Sequence, residues 1–201
     1  MTAPAGERIG VFGGTFDPPH VGHLVVAVNV RHALDLDRVL LVVANDPWQK
    51  AGTPVSPAPD RLAMVEAAVA GVEGLEASAA EIQRGGASYT ADTLSGLRAD
   101  RPGAELFLIL GSDAAAGLDT WERIDEVERS AHLVVVTRPG ADGAGPPARR
   151  GRALREVEVP RLEVSSSDLR ARFADGRPLD WLVTAPVMRC VRERGLYAVA
   201  G

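Results

Sequence analysis

Short apolar runs alternate with longer segments of mixed polarity along most of the chain. The apolar runs predict strands at 8–12, 39–44, 106–110 and 133–137, with a weaker one at 75–79. The longer segments between them predict helices at 21–36, 60–72, 91–101 and 114–129. Because strands and helices alternate, we expect a doubly wound, Rossmann-like α/β fold whose parallel sheet carries helices on both faces.

The alternation stops after the strand predicted at 133–137. Residues 139–155 are rich in Gly, Pro and Ala, and they end in a cluster of arginines: Arg149, Arg150, Arg152 and Arg155. We expect a mobile, solvated surface segment because such a composition cannot bury a core. A basic patch for a triphosphate or an acidic partner is the alternative. Strand character resumes at 157–164, a helix follows up to Gly176, and Cys190 lies in an amphipathic C-terminal helix.

Length and charge narrow the class of protein. At 201 residues the chain can bury one good core, so we expect a single domain spanning 1–201. A net charge of −5 argues against a nucleic-acid partner, and a single cysteine excludes a disulfide framework. The polar start has no signal-peptide pattern, and no apolar run reaches the ~18 residues of a membrane span. We therefore expect a cytoplasmic protein without a membrane partner. The oligomeric state is left open, a homo-oligomer included.

The stretch from Gly13 to His23, GGTFDPPHVGH, lies between the first predicted strand and the first predicted helix. Gly13 and Gly14 let the backbone turn sharply and leave no Cβ in the way of a ligand. The helix that follows presents unpaired N–H groups, which favour an anion such as phosphate. His20 and His23 are three residues apart at the helix start, so their imidazoles share one face. This stretch, called the signature turn below, predicts a nucleotide-phosphate site.

The residues of the signature turn alone leave other interpretations open. The stretch matches neither the dinucleotide fingerprint nor the P-loop. The glycines could form an ordinary turn, and the histidines could cap the helix. Against this, Gly22 is a poor helix former, and its small size suggests that another group approaches closely. A zinc site would need further ligands, and no His, Cys or carboxylate cluster accompanies the pair, so we expect no metal ligands in the chain itself.

Two further segments at strand ends carry polar side chains suited to a nucleotide. Residues 165–167 are all serine and open a helix, with Arg170 one turn on, which favours either a second anion site or an ordinary serine cap. Gly111 follows the strand at 106–110. An ionised carboxylate at Asp113 could accept hydrogen bonds from the two hydroxyls of a vicinal diol, and Ser112 or Asp113 could at the same time cap the helix that follows.

The signature turn closely resembles the G-G-T-F-D-P-x-H-x-G-H motif of the nucleotidyltransferase superfamily, with residues 20–23 as its H-x-G-H core. Its Gly-Gly-Thr-Phe-Asp-Pro form looks most like that of the bacterial nicotinate-nucleotide adenylyltransferase family. The resemblance implies transfer of AMP from ATP to nicotinate mononucleotide, which forms nicotinate adenine dinucleotide and pyrophosphate in NAD biosynthesis. It also implies Mg²⁺, bound mainly through ATP oxygens and water.

The resemblance implies roles for the motif residues. His20, His23 and Arg170 would be catalytic, and the histidines would donate hydrogen bonds to phosphate oxygens. The serines are similar to the family's I-S-S-T-x-[IL]-R motif, which grips the outer phosphates of ATP, with Val164 in place of isoleucine and Ser167 in place of threonine. The implied ATP-binding residues are Gly13, Gly14, Thr15, Phe16, Gly22, Gly111, Asp113, Ser165, Ser166 and Ser167.

The resemblance also implies where the nicotinate ring would bind. Tyr89 and Thr90 open a helix, and their backbone groups would meet the nicotinate carboxylate. Trp121 is similar to the tryptophan that stacks on the pyridine ring, although burial in the core would also explain it. Glu122 stands where many relatives carry a second aromatic residue.

A loop with Trp48, Gln49 and Lys50 is similar to the tryptophan-glutamine-lysine loop of actinobacterial members. Trp48 and Lys50 would contact substrate, with Lys50 reaching phosphate as a mobile cation. Alternatively, Trp48 folds back onto the protein surface and Lys50 remains in water.

Two other functions fit parts of this pattern. Phosphopantetheine adenylyltransferases of the same superfamily typically have serine after glycine and threonine in place of the first histidine, whereas this chain has Gly14, Thr15 and His20. A sensor that binds nucleotide without turnover is a rival of a different class. The presence of His20, His23 and Arg170 counts against it.

Overall fold

Six parallel strands form one sheet in the described parts of the chain, which are residues 6–47, 54–137 and 154–197 of this computed structural model. The strands are β1 (Arg8–Gly14), β2 (Arg38–Val43), β3 (Leu75–Ser78), β4 (Glu105–Gly111), β5 (His132–Thr137) and β6 (Arg155–Glu158). The helices are α1 (Val21–Ala33), α2 (Ala58–Val69), α3 (Ala80–Arg84), α4 (Thr90–Asp100), α5 (Ser112–Ala116), α6 (Ile124–Ser130), α7 (Ser166–Asp175) and α8 (Ala185–Glu193). The predicted doubly wound α/β fold is confirmed.

The strand order β3-β2-β1-β4-β5-β6 places β1 and β4 side by side at the centre of the sheet. The chain winds outward from β1 through β2 to β3, returns to β4 beside β1, and then winds outward the other way. Ligands of such sheets bind beyond the carboxyl ends of the strands where this reversal occurs. The topology therefore places the ends of β1 and β4, Gly14 and Gly111, at the expected ligand site.

Alternate residues of each central strand pack on opposite faces of the sheet. One face joins Leu41 of β2 and Phe107 of β4 to Val30 of α1 and Val65 of α2. The other face joins Val11, Leu40 and Leu108 to Leu94 of α4 and Val127 of α6. Both faces are covered by helices, which explains why the strands are continuous apolar runs rather than alternating ones.

A third apolar cluster holds the C-terminal helices to the rest of the molecule. Met64 and Ala68 of α2 pack with Leu169 of α7 and with Val187 and Val191 of α8. Helix α7 begins with Ser165 as its cap, whose hydroxyl accepts a hydrogen bond from the Asp168 N–H at 3.2 Å. The helix ends at Gly176, which adopts the left-handed conformation that terminates helices. This packing brings the serine-rich start of α7 into the neighbourhood of α2.

Several predicted boundaries were wrong. The helix expected at 114–129 is divided, because Arg123 adopts a left-handed φ of 53° and α6 begins only after it. Helix α1 ends at Ala33 rather than at residue 36, because Asp35 is also left-handed, with a φ of 48°. The strand predicted at 157–164 is the shorter β6, and Arg155, expected in the loop before it, begins β6 instead. Helix α3 was not predicted.

The segment predicted at 139–155 lies outside the described residues except for its last two. The loop with Trp48 and Lys50 also lies outside them. Among the helices of the described residues, none is both long enough and apolar enough to cross a bilayer.

Candidate active site

A cavity of about 210 Å³ opens at the carboxyl ends of β1 and β4. Its walls come from the end of β1, the end of β4, the start of α4 and the segment before α6. The residues that were predicted to bind nucleotide or substrate and that line it are Gly13, Gly14, Thr15, Tyr89, Thr90, Gly111 and Trp121. The fold therefore brings together residues that are far apart in the sequence.

A larger cavity, about 410 Å³, lies near the other end of the sheet. It is lined by Arg98, Glu105, Glu128 and His132 among others, close to the amino ends of β4 and β5. None of the signature-turn residues or serines of α7 lines it. Because chemistry in parallel sheets is carried by the carboxyl ends of strands, we assign the smaller cavity as the candidate site.

The two histidines of the signature turn stack on each other. Their ring centroids are 3.7 Å apart and the rings are inclined by 25°. The backbone N–H of His20 donates to Nδ1 of His23 at 3.2 Å. Because Nδ1 of His23 accepts a hydrogen bond, the neutral ring carries its proton on Nε2 and can donate from there. His20 is the N-cap residue of α1 and forms a capping box with His23, so the capping alternative for these histidines is also present.

Burial keeps both imidazoles uncharged at neutral pH. Desolvation lowers the pKa of His20 to about 4. Desolvation also holds the pKa of His23 well below its usual range, and the nearby His20 lowers it further. In the ligand-free protein the pair therefore offers neutral N–H donors. An anionic phosphate bound against them would favour the protonated forms and raise both pKa values.

Two glycines of the signature turn make room for its own side chains. A Cβ on Gly22 would lie 3.0 Å from Nδ1 of His20, so the close approach predicted at Gly22 is that of the His20 ring. A Cβ on Gly14 would lie 2.8 Å from Cζ of Phe16. The buried Phe16 ring in turn contacts His23 edge-on, with centroids 5.0 Å apart. These glycines let Phe16 and His20 fix the position of His23.

The start of α7 is hydrogen-bonded directly to the signature turn. The Ser166 hydroxyl donates to the carbonyl oxygen of Pro18 at 2.9 Å, across 148 residues of sequence. Nη1 of Arg170 donates to the carbonyl oxygen of Asp17 at 2.7 Å, and Nη2 donates to the Ser167 hydroxyl at 3.3 Å. The two predicted anion sites are therefore parts of one arrangement. The serine cap, which was the alternative for these serines, is also present at Ser165.

Asp17 has a structural role within the signature turn. Its side chain is 3 % exposed, and one carboxylate oxygen accepts a hydrogen bond from the Tyr197 hydroxyl at 2.6 Å. The other oxygen accepts one from the Ser56 N–H at 3.1 Å. Burial raises the pKa of Tyr197, and the hydrogen bond to Asp17 raises it further, so the phenol remains a donor. This contact between residues 17 and 197 was not predicted.

The opposite wall of the cavity contains the start of α4. Tyr89 caps α4 and Thr90 is its first residue, so the free N–H groups of this helix lie at the cavity. Behind them, the Thr93 hydroxyl donates to the buried carboxylate of Glu81 at 2.6 Å and accepts from Arg84 at 3.2 Å. The sequence analysis did not predict a role for Glu81, because no local pattern distinguishes this residue of α3 from an ordinary surface glutamate.

Trp121 is half-buried, and it both packs against the core and lines the cavity, so the two alternatives for this residue are compatible. Glu122 also lines the cavity. Arg123 then turns away and pairs with Asp92 of α4 at 2.7 Å, which ties this wall of the cavity to the helix start.

Gly111 is the last residue of β4 and Asp113 follows it, so both lie at the carboxyl end of this strand as predicted. Gly111 lines the cavity and caps α5, whereas Asp113 is an exposed residue of the first turn of α5. Neither Ser112 nor Asp113 caps α5 with its side chain, so that alternative was wrong. The Ser112 hydroxyl instead donates to the carbonyl oxygen of Val136 at 3.1 Å.

Arg61 is the most conspicuous residue near the site that the sequence did not reveal. Its side chain is 1 % exposed and hydrogen-bonds to carbonyl oxygens near the signature turn. The sequence indicates its burial only through the position of this arginine on the apolar side of a predicted helix. That indication is weak, because the charged end of a long cationic side chain usually reaches water from such a position.

Comparison with known proteins identifies the family of this chain. The sequence profile of the cytidylyltransferase-like family matches residues 11–172, so the protein is a nucleotidyltransferase by family as well as by fold. A probable nicotinate-nucleotide adenylyltransferase of Saccharopolyspora erythraea is 44 % identical over 95 % of this chain and 90 % of its own length. Another from Frankia casuarinae is 47 % identical over 92 % of this chain and 97 % of its own. The chain belongs to the nicotinate-nucleotide adenylyltransferase family.

Solved structures agree on the fold. Plasmodium falciparum nicotinic acid mononucleotide adenylyltransferase complexed with NaAD has a TM-score of 0.77 to this protein. The two chains are 16 % identical, and the similarity covers 95 % of this chain and 97 % of the other.

Proposed function

We propose that this protein transfers the adenylyl group of ATP to nicotinate mononucleotide, forming nicotinate adenine dinucleotide and pyrophosphate. One observation carries the proposal. The glycines of the signature turn and the start of α4 line the same cavity at the centre of the sheet. A phosphate site and a site for an aromatic carboxylate within one cavity suit this pair of substrates.

The proposed chemistry is a direct in-line displacement. An oxygen of the 5′-phosphate of the mononucleotide bonds to the α-phosphorus of ATP as the bond between that phosphorus and the bridging oxygen to the β-phosphate breaks. Pyrophosphate leaves with the electron pair. Because the attacking phosphate is already an anion, no general base is needed, and the rate depends on positioning and on stabilisation of charge.

The signature turn would stabilise the transferring phosphate. His20 and His23 would donate hydrogen bonds to its oxygens as negative charge moves toward the leaving group. Thr15 and Phe16 would add donors close to the α-phosphorus, and Gly13 would let the backbone approach it. The position of both imidazoles at the start of α1, directly after the turn whose glycines line the cavity, supports this role.

The ends of β4 and α7 would hold the rest of ATP. Ser165, Ser166 and Ser167 with Arg170 would bind the outer phosphates, as the helix start and the guanidinium both favour anions. Asp113, with Gly111 beside it, would accept hydrogen bonds from the ribose hydroxyls. The contacts of Ser166 and Arg170 with the signature turn support a shared site for the triphosphate.

The acceptor would bind at the start of α4. The N–H groups at Tyr89 and Thr90 would bind the nicotinate carboxylate, and Trp121 would stack on the pyridine ring. Trp48 and Lys50 complete the predicted acceptor site.

Mg²⁺ fits this site as an ion carried by ATP. Within the described residues, no group of three or more His, Cys, Asp or Glu side chains could hold a metal ion. Asp17 in the signature turn uses both carboxylate oxygens for Tyr197 and Ser56. In this proposal ATP oxygens and water supply most of the ligands, in keeping with the reluctance of Mg²⁺ to lose water. When bound, the ion would neutralise charge on the phosphates.

The test is product formation from MgATP with nicotinate mononucleotide, nicotinamide mononucleotide or phosphopantetheine, each measured by chromatography and by pyrophosphate release. We expect nicotinate mononucleotide to be preferred over the amide by roughly 10² in kcat/KM, because two charge-assisted hydrogen bonds of about 1.5–3 kcal/mol favour the acid. The amide would also place N–H groups against N–H groups.

Glu122 provides a matched variant for this test. Glu122 lines the cavity, and a negative charge there would oppose an anionic ring substituent, so Glu122→Gln should raise the acid-to-amide ratio a few-fold. Equal use of the two mononucleotides would contradict the assignment of the carboxylate site. Turnover of phosphopantetheine, or ATP binding without turnover of any acceptor, would favour one of the two rival functions.

A further inference from the structure

Arg61 of α2 is a cation buried in the layer beneath the candidate site. Its side chain is 1 % exposed, and no carboxylate of the described residues lies within ion-pair distance of its guanidinium. Asp17 and Glu81 act on it only through longer-range attraction. Burying a charged side chain costs free energy unless its N–H groups form hydrogen bonds. The hydrogen bonds of this guanidinium therefore explain how Arg61 can stay buried.

Four carbonyl oxygens accept hydrogen bonds from four of the five N–H groups of the guanidinium. Nη1 donates to Ala44 at 2.7 Å and to Thr15 at 2.9 Å. Nη2 donates to Asn45 at 3.1 Å, and Nε donates to Ser56 at 2.8 Å. These carbonyls belong to the signature turn, to the chain after β2 and to the chain before α2. The fork of Arg61 therefore joins three segments that are separate in sequence.

The bond to Thr15 sets the direction of a peptide group in the signature turn. In a trans peptide the C=O and the following N–H point in opposite directions. Because the Thr15 carbonyl points at Arg61, the N–H of Phe16 points away from the buried layer that holds Arg61. That N–H is one of the donors proposed for the α-phosphate.

The bond to Asn45 extends the same arrangement to the acceptor side of the cavity. The N–H of Asn45 donates to the Ser88 hydroxyl at 2.9 Å, and its side-chain amide donates to the carbonyl oxygen of Gly86 at 2.8 Å. Ser88 directly precedes Tyr89, the cap of α4. Arg61 is thus connected to both walls of the cavity while its own side chain is excluded from it.

We propose that Arg61 is a positioning residue that fixes the phosphate-binding signature turn relative to the acceptor-binding start of α4. The inference rests on the proposed function. Arg61 contacts neither substrate, so each substrate should still bind when it is replaced. Replacement of Arg61 should instead lower kcat, because in-line attack requires the two substrate sites to be correctly placed relative to each other. A misplacement of about 1 Å can lower the rate about 10²-fold.

The experiment compares Arg61→Lys and Arg61→Met with Val69→Ala. Lys keeps the charge but has a single nitrogen, which cannot span four carbonyls, and Met removes both charge and donors. Val69 is buried at the other end of the same helix and has no side-chain donor for these carbonyls, so Val69→Ala controls for lost stability. All variants are assayed well below their melting temperatures. Kd is measured for MgATP alone and for nicotinate mononucleotide alone by calorimetry, and kcat at saturation of both.

We expect kcat to fall about 10²-fold in both Arg61 variants, with each Kd within about threefold of the wild type, and no such fall in Val69→Ala. Ser88→Ala, which breaks the link to α4 without touching the buried charge, should lower kcat in the same direction by less. It provides the test if the Arg61 variants do not fold.

Turnover of the folded Arg61 variants equal to that of Val69→Ala would overturn the proposal. A loss that appears as weaker binding of one substrate would overturn it as well. Failure of the proposed function would give a different result: the wild-type protein itself would form no dinucleotide from MgATP and nicotinate mononucleotide. In that case both proposals would be wrong.

Discussion

At the scale of single residues, the histidine pair depends on very small neighbours. Gly22 leaves the space that the His20 ring occupies, and Gly14 leaves the space for Phe16. His23 is then held by its stacking with His20, by the edge of Phe16 and by the hydrogen bond at Nδ1. Because three contacts fix the position of the His23 imidazole, its Nε2 is held in place as a hydrogen-bond donor. Donors that are held in place before the reaction stabilise developing charge best.

Replacement of His23 by alanine should therefore lower kcat far more than it raises either KM. Loss of one preorganised donor to developing charge costs about 10²–10³ in rate. Steady-state kinetics with MgATP and nicotinate mononucleotide measures this. His32→Ala is the matched control, because His32 is an exposed histidine near the end of the same helix. Near-normal turnover by folded His23→Ala protein would make His23 a purely structural residue.

At the scale of elements, the start of α7 acts on the signature turn rather than as an isolated anion site. Ser166 and Arg170 donate to the carbonyl oxygens of Pro18 and Asp17. The carbonyl oxygens of Asp17 and Pro18 lie between β1 and α1, outside the regular backbone hydrogen bonds of either element, so their donors must come from elsewhere in the molecule. Helix α7 supplies these donors and is thereby fixed against the signature turn.

Arg170→Ala should raise KM for ATP roughly 10- to 100-fold and leave KM for the mononucleotide nearly unchanged. A charged donor is worth about 1.5–3 kcal/mol, and its removal would affect the outer phosphates most. Initial rates with one substrate varied at a time separate the two constants. Arg172→Ala serves as the control, since Arg172 pairs with Asp168 at 2.6 Å elsewhere on the same helix. The reverse pattern would mean that the two substrates have been placed the wrong way round.

At the scale of the whole molecule, the buried histidines make folding stability depend on pH. The pKa of His20 is about 4 in the folded protein against about 6.5 when unfolded, and that of His23 is also lowered. Between these values the unfolded chain binds more protons, so acid favours unfolding. Stability that is fully present above about pH 6.5 is then lost progressively as the pH falls toward 4.

Urea unfolding at pH 7.5, 6 and 5 measures this loss. For His20 alone the complete effect is roughly 3 kcal/mol, at about 1.4 kcal/mol per unit of pKa difference. His20→Asn should show a smaller decrease in the free energy of unfolding over this range than the wild-type protein. An identical pH dependence in His20→Asn and wild type would show that His20 titrates alike in both states.

Much of the fold and of the site could be predicted because the evidence for them is local. Strands such as 106–110 are apolar runs that only a doubly covered sheet can bury, and their alternation with helices indicated a parallel sheet. The signature turn and the serines of α7 were recognisable as short runs whose backbone chemistry suits an anion. The strands, the signature turn and the serine-rich helix start could be predicted because each depends on residues that are neighbours in the sequence.

The features that only the tertiary structure decided depend on residues far apart in the chain. Asp17 bonds to Tyr197 across 180 residues, and Arg61 reaches Thr15 across 46. No periodicity or spacing predicts such pairs, because they are formed by packing α2, α7 and α8 against the end of the sheet. The sequence by itself determined the alternation of strands and helices and the glycine turn after β1, where it predicts a nucleotide site. Only the folded protein determined which buried side chains hold that site in shape, since a charge or carboxylate is buried only where distant groups satisfy it.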